Sequence, residues 1–369
     1  MERRYIITGG GTSGHINPAL AIADLLKADA AKNGDECKII FTGRKEGLEG
    51  ELVPKAGYEF RNVESLPMPY KPSLKILKTM SANRRGRKYC LSLINEFKPD
   101  CVISTGGYVS APLLMAAKKA NIPVMIHEAN AFPGRANKLF AKGALVMTGF
   151  PNQESIFSKA AKVVYTGNPV RNNMFGLTKE ESRKTLGIAP DRKLVFVMGG
   201  SLGSATLTNF VFESAKKPEF RDVKFVISVG KHNSVEITDD VKALQNLEIR
   251  EYIDRPDLYM SAADCSILRA GAVTCAEITA TGACAIMVPY PFAAHDHQTY
   301  NAHSLADKGA GIVVSDEEVK AGKLAPVLTD LLNDPARQDK IRKASLNLAI
   351  RDTGERITEA IKASLGNNP

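Results

Sequence analysis

The sequence predicts an α/β protein of two doubly wound, parallel-sheet domains. Three observations carry this. Short apolar runs alternate with helical patterns along the whole chain, the mark of βαβ units. Glycine-rich turns join strand to helix at residues 9–15 and again at 199–204, so the second half restarts the plan of the first. At 369 residues the chain exceeds the size at which a single core keeps growing. Two Rossmann-like domains, divided near the segment Thr166-Gly-Asn-Pro-Val-Arg171, account for all three.

In order, residues 4–8 (Arg-Tyr-Ile-Ile-Thr) read as a buried strand, followed by Gly9-Gly-Gly-Thr-Ser-Gly-His15 and a helix over 19–27 with Pro18 in its first turn. Strands are expected at 38–41, 59–63, 101–104, 124–127, 145–148 and 163–165. Thr105-Gly-Gly-Tyr108 opens a helix at 110–120, and the strand at 124–127 leads into Glu128-Ala-Asn130 and Gly134-Arg-Ala-Asn137. The second half has strands at 194–198, 225–229, 247–250, 265–268, 285–288 and 311–314, then a helical tail after Asn333. In such sheets ligands sit beyond the carboxyl ends of the strands, and that is where the glycine and polar segments fall.

Composition excludes several classes. No apolar run approaches the ~20 residues of a membrane span. The first strand starts directly after Met1, with no signal peptide expected. Six cysteines, without C-x-x-C or metal-ligand spacing, fit buried thiols in a reducing cytoplasm. The glycine loops match neither the dinucleotide fingerprint nor the P-loop. Net charge is +9, and residues 1–165 hold 24 Lys and Arg against 14 Asp and Glu, so the excess lies in the first half. A basic half implies an anionic partner. Residues 65–95 contain no Asp or Glu but carry Lys71, Lys75, Lys78, Arg84 and Arg85, with Leu74, Leu77 and Met80 among them. This reads either as a cationic amphipathic surface for anionic lipid or as a solvated basic helix whose apolar face is core. No aromatic platform supports nucleic acid.

The strongest site signal is Gly271-Ala-Val-Thr-Cys-Ala-Glu277 with Asp296-His-Gln-Thr-Tyr-Asn301. Gly271 is expected to allow a sharp turn from strand into helix. The unpartnered amides at the helix start favour a phosphate, and Glu277, one turn in, suits ribose hydroxyls. Gln298 and Asn301 share a helix face and suit sugar hydroxyls. His15, at the end of a glycine loop and titrating near neutrality, is a candidate proton acceptor.

Together, Gly9-Gly-Gly-Thr-Ser-Gly-His15, Thr105-Gly-Gly-Tyr-Val-Ser110, His127-Glu-Ala-Asn130, Gly167-Asn-Pro-Val-Arg171, Gly199-Gly-Ser-Leu-Gly203, the segment 269–277 and His297-Gln-Thr-Tyr-Asn301 resemble the MurG family of N-acetylglucosaminyltransferases, in the family's order and over nearly the whole chain. Ala129 and Leu202 stand where that family often has Gln. The resemblance implies a GT-B fold: Rossmann-like domains 1–165 and 166–344 across a deep cleft, with a final helix, about 345–369, packing back on the first. It implies UDP-N-acetylglucosamine as donor and undecaprenyl-diphosphate-linked N-acetylmuramoyl-pentapeptide (lipid I) as acceptor, at the cytoplasmic face of the bacterial plasma membrane. Carried over by residue, Ser201 and Arg171 lie near the diphosphate, Ile253 offers backbone groups to uracil, and Ala272, Val273 and Thr274 face the phosphate. Glu277 takes the ribose, Gln298 and Asn301 the sugar, and Thr12, Ser13, Gly14 and Asn130 close over it. The reaction would be one inverting displacement, with His15 first and Glu128 second as candidate base. Without a D-x-D motif, no metal or other cofactor is expected. The rivals are another GT-B glycolipid glycosyltransferase, a UDP-N-acetylglucosamine 2-epimerase, a non-catalytic nucleotide-sugar binder, and, on charge alone, a nucleic-acid-binding protein.

Overall fold

The structure, a computed structural model, describes residues 2–69, 71, 73, 75–200, 203–231 and 233–366. Leu74 and Ser201 therefore lie outside the described residues. The chain forms two compact units, Met1–Pro169 with Asp352–Pro369, and Val170–Arg351. The expected limits at 165 and 345 differ from these by a few residues, for local reasons. Gly167 N–H donates to the Thr148 carbonyl and the Asn168 amide to that of Ala129, which ties 166–169 to the first unit. The Ser345 hydroxyl donates to the Ile278 carbonyl (3.0 Å), which keeps residue 345 with the second.

The first unit contains strands β1 (Glu2–Gly9), β2 (Glu36–Gly43), β3 (Glu59–Asn62), β4 (Cys101–Gly106), β5 (Val124–Glu128), β6 (Leu145–Thr148) and β7 (Lys162–Tyr165). They form one parallel sheet in the order β3-β2-β1-β4-β5-β6-β7. Its helices are α1 (Ser13–Asn33), α2 (Glu49–Lys55), α3 (Lys75–Phe97), α4 (Ala111–Lys119) and α5 (Arg135–Phe140). Both sheet faces are buried, as an all-parallel sheet requires. Ile7, Phe41 and Ile103 pack under α1 on one side, while Ile6, Val102 and Ile126 pack under α3 and α4 on the other.

α1 starts six residues earlier than expected, at Ser13, so Pro18 lies in its second turn rather than its first. There the missing N–H leaves the Gly14 carbonyl without its helical donor. Gly34 ends the helix in the left-handed region (φ 67°).

The second unit contains β8 (Lys193–Met198), β9 (Val223–Ser228), β10 (Leu247–Arg250), β11 (Cys265–Leu268), β12 (Ala285–Met287) and β13 (Ile312–Val313), ordered β10-β9-β8-β11-β12-β13. Its helices are α6 (Lys179–Leu186), α7 (Ala205–Ala215), α8 (Asp239–Lys242), α9 (Pro256–Ala262), α10 (Ala272–Thr281), α11 (His297–Ala306), α12 (Asp316–Lys320), α13 (Leu324–Leu332) and α14 (Pro335–Asn347). The last helix, α15 (Thr353–Gly366), belongs to the first unit. Its Ile357 and Ile361 are fully buried in the core beneath α1, each contributing about 1.5–3 kcal/mol of burial. In each sheet the strand order reverses beside the first strand, at β1/β4 and at β8/β11. Those are the switch points where open α/β sheets bind ligands.

Candidate functional site

At the β1/β4 switch point the two strands fall out of register. Thr8 pairs with Ser104 but Gly9 with Gly106, so Thr105 is an extra residue, a β-bulge. The bulge turns the Thr105 hydroxyl onto the His15 carbonyl (2.7 Å). His15 itself is half-buried in the first turn of α1, and its Nδ1 lies 3.1 Å from the Thr12 hydroxyl. Thr12 is the N-cap, yet its side chain makes no cap bond because it is engaged with the imidazole. A Cβ on Gly106 would stand 3.2 Å from His15 Nε2, so this glycine clears space for the ring. Among the described residues the N–H groups of Thr12, Ser13 and Gly14 have no partner. The exposed Gly14 leaves that helix start open.

The amides of Gly10 and Gly11 are already engaged. Gly10 N–H donates to the Gly106 carbonyl (3.3 Å) and Gly11 N–H to Glu49 Oε2 (3.0 Å). The Tyr108 hydroxyl accepts from Arg44 Nη1 (3.2 Å).

At the end of β5, Glu128 is buried and fully engaged. Oε1 accepts from the Asn130 N–H (2.9 Å) and its side-chain amide (3.3 Å). Oε2 accepts from the Gly134 N–H (2.9 Å) and Asn137 Nδ2 (2.8 Å). Burial raises its pKa against these four donors. A carboxylate held this way organises residues 128–137. Asn130 is half-buried, and its carbonyl accepts from Gln153 (2.9 Å). Neighbouring His127 is fully buried, and burial pushes its pKa down to about 4. Its Nε2–H donates to the Gly167 carbonyl (3.2 Å), which opposes that shift without cancelling it, so burial keeps the ring neutral.

In the second unit α10 begins at Ala272, which is buried, with Val273 and Thr274 half-buried. Val273 and Thr274 N–H have no partner among the described residues. Gly271 departs from expectation: its φ is an ordinary −62°, so no sharp turn requires a glycine. A Cβ there would meet only the Thr274 hydroxyl oxygen, at 3.6 Å. The missing side chain serves close approach to the helix start instead.

Glu277 is half-buried, and its carboxylate accepts no hydrogen bond among the described residues. Burial raises its pKa to about 7, opposed by Arg171 and reinforced by Asp257. Arg171 is exposed, just before the short helical turn Asn172–Met174. Ile253 is buried, yet its backbone N–H and C=O carry no hydrogen bond among the described residues.

Gln298 Oε1 accepts from the Tyr290 N–H (2.9 Å), tying α11 to the turn before it. Asn301 corrects an expectation. It is fully buried, where an exposed helix face was expected, and its amide donates to the Ala270 carbonyl (3.1 Å), so it holds the loop in front of α10. Two non-glycine residues in that turn, His295 and Asp296, are left-handed (φ 56° and 54°). Such conformations gather at functional sites.

Two groups lacked a role in the sequence reading. Arg269, at the end of β11, is buried and donates to the Ser204 hydroxyl (2.6 Å), Asp316 (2.7 Å) and the Pro289 carbonyl (3.0 Å), joining three loops. A charge closing an apolar strand run was its only signal. Glu49 had none, because it acts on residues 38 positions away.

On the basic segment, Lys75, Leu77, Lys78, Met80, Arg84 and Arg85 are all exposed on α3, and Lys71 precedes it. Leu77 (69%) and Met80 (56%) do not belong to the core. Arg85 pairs with Glu64 through both carboxylate oxygens. Among the described residues no group of three His, Cys, Asp or Glu is placed to hold a metal, and no helix is long and apolar enough to cross a membrane.

The glycosyltransferase family 28 N-terminal domain matches residues 5–147 and the family 28 C-terminal domain residues 194–357. A Thermoanaerobacter protein named UDP-N-acetylglucosamine–N-acetylmuramyl-(pentapeptide) pyrophosphoryl-undecaprenol N-acetylglucosamine transferase is 38% identical over 98% of this chain and 99% of its own. The crystal structure of Acinetobacter baumannii MurG shares the fold, with a TM-score of 0.76 at 24% identity over 98% of this chain and 99% of that one. So does UDP-N-acetylglucosamine 2-epimerase from Neisseria meningitidis, bound to UDP-N-acetylglucosamine, with a TM-score of 0.64 at 16% identity over 98% and 100%. With both domain models matched and the relative similar from end to end, the chain belongs to the MurG family of GT-B glycosyltransferases.

Proposed function

We infer that the chain transfers N-acetylglucosamine from UDP-N-acetylglucosamine to the 4-hydroxyl of the muramoyl sugar in undecaprenyl-diphospho-N-acetylmuramoyl-pentapeptide, the lipid I to lipid II step of peptidoglycan synthesis. The end-to-end likeness to proteins of that name carries this conclusion.

The second unit suits the donor. The open start of α10 behind Gly271 meets the diphosphate with fixed amide dipoles, and Arg171 adds a cation. Glu277 accepts the ribose hydroxyls, Ile253 gives its unused backbone groups to the base, and Gln298 serves the sugar. Ser201 is proposed to serve the diphosphate. Asn301 acts indirectly, through the Ala270 carbonyl. In the first unit, Thr12 orients the His15 imidazole, which takes the proton of the acceptor hydroxyl as the sugar–phosphate bond breaks with inversion. Thr12, Ser13, Gly14 and Asn130 serve sugar hydroxyls there. Removing one preorganised contact to the leaving group costs ~10²–10³ in turnover. This reading needs no metal.

The exposed cations and apolar side chains of α3 are proposed to rest on anionic lipid at the cytoplasmic membrane face, where a lipid-linked acceptor is presented. The deciding experiment is transfer from labelled UDP-N-acetylglucosamine to a short-chain lipid-linked muramoyl-pentapeptide. Conversion of UDP-N-acetylglucosamine without acceptor would instead point to epimerisation, and absence of turnover with retained UDP binding to a sensor.

A further inference from the structure

Glu49 opens α2 and is 1% exposed. Its Oε2 accepts the Gly11 N–H (3.0 Å) and its Oε1 the Arg44 N–H (3.1 Å). Three glycines make room for it. A Cβ on Gly10, Gly43 or Gly47 would come within 2.6, 2.6 or 2.5 Å of the Glu49 side chain. Among the described residues no Lys or Arg side chain forms a salt bridge with it. The nearby Arg44 guanidinium is bonded to Tyr108 (3.2 Å) and lies 3.7 Å from Glu46. The Arg44 charge is felt at Glu49 without a direct bond, so the carboxylate is held by backbone N–H groups alone. A carboxylate held in this way invites a reason beyond packing.

The reason lies one residue along the chain. Gly11 is left-handed (φ 83°) and is followed by Thr12, whose hydroxyl meets His15 Nδ1. On the opposite side, Gly10 N–H donates to the Gly106 carbonyl, and a Cβ on Gly107 would stand 2.2 Å from the Gly10 oxygen. Residues 10 and 11 are therefore clamped between Glu49 and the bulged end of β4. The clamp sets where Thr12 and His15 stand.

We propose that Glu49 is a positioning residue of the transfer step: it holds the first glycine loop so that Thr12 aims the His15 imidazole. The proposal rests on the reading of His15 as the base. A misplacement of about 1 Å at a catalytic group costs up to ~10²-fold.

The test compares Glu49→Gln, His15→Ala and the double variant with the full-length enzyme. Glu49→Gln sets an NH₂ against one of two N–H donors, so kcat should fall about 10- to 100-fold with donor KM within about twofold of wild type. Glu49→Asp should recover part of the loss. In the His15→Ala background the Glu49→Gln loss should vanish, because the two act as a unit. A folded Glu49→Gln enzyme with wild-type kcat, or losses that multiply in the double variant, would overturn the proposal. Should Glu49→Gln not fold, Gly47→Ala displaces the same carboxylate without altering its charge and should lower kcat alike; wild-type kcat there would also overturn it. If His15→Ala alone is as active as wild type, it is the underlying reading that fails.

Discussion

The two glycine loops of this molecule follow one local plan but rest on different buried groups. In the first unit, residues 9–12 join β1 to α1, and the buried carboxylate of Glu49 sits beneath the Gly11 amide. In the second, residues 199–204 join β8 to α7, and the buried guanidinium of Arg269 holds the Ser204 hydroxyl. The caps differ accordingly. Ser204 accepts the Leu207 N–H (3.3 Å) as an ordinary N-cap, whereas Thr12 gives up capping to engage His15. A strand–glycine–helix turn thus does not by itself name its ligand. What differs is the buried group behind it: a carboxylate on backbone N–H groups in one loop, and a guanidinium paired with Asp316 in the other.

The largest effect expected on this contrast is at His15. His15→Ala should lower kcat by ~10²–10⁴ with donor KM unchanged, measured at saturating acceptor. A raised donor KM with normal kcat would leave the first loop a sugar-binding role only and remove His15 as the base. Next comes Arg269→Met, which strips Asp316, 3% exposed at its side chain, of its buried partner and leaves it Lys320 at 2.9 Å. It should cost about 1–3 kcal/mol of second-unit stability, read from the denaturant midpoint.

A smaller effect concerns pH. With a pKa of about 7, Glu277 is protonated progressively as pH falls through neutrality. Donor KM should therefore rise about tenfold for each pH unit below 7, and Glu277→Gln should be poor and pH-independent. A flat wild-type profile would remove the ribose role. The linkage runs the other way for stability. The folded pKa lies above the unfolded 4.5, so the folded state is favoured at low pH and loses that advantage as pH rises toward 7 and past it. Smallest are the α3 cations. Lys75→Ala and Lys78→Ala should each weaken binding to anionic vesicles by about 1 kcal/mol in low salt, with donor KM unaffected. Equal binding by all variants would return α3 to a merely solvated face.

Much of the fold was legible because parallel strands buried on both faces read as apolar runs, and because strand and helix alternate without long interruptions. The start of α1 was misread because Pro18 suggested a first turn. Only the backbone reveals that Thr12 is the cap. Gln298 and Asn301 look equivalent on a helical wheel. Packing separates them: one side chain is half-buried beside the turn at 290, the other enclosed under Ala270. Glu128 and His15 are alike as candidate bases by residue type, and only the fold shows that Glu128 is held by four hydrogen bonds while His15 meets the Thr12 hydroxyl.

The sequence by itself determined the βα alternation, the placing of glycine and polar residues after strand ends, the family, and the basic first half. These depend on residue type and on periods of two or a few residues. The tertiary structure alone decided which amides remain open, which carboxylate is engaged, and which buried group lies behind each loop. Those depend on residues such as Glu49 and Gly11, 38 positions apart, or Arg269 and Ser204, 65 apart, which only the folded sheet order brings within hydrogen-bonding distance.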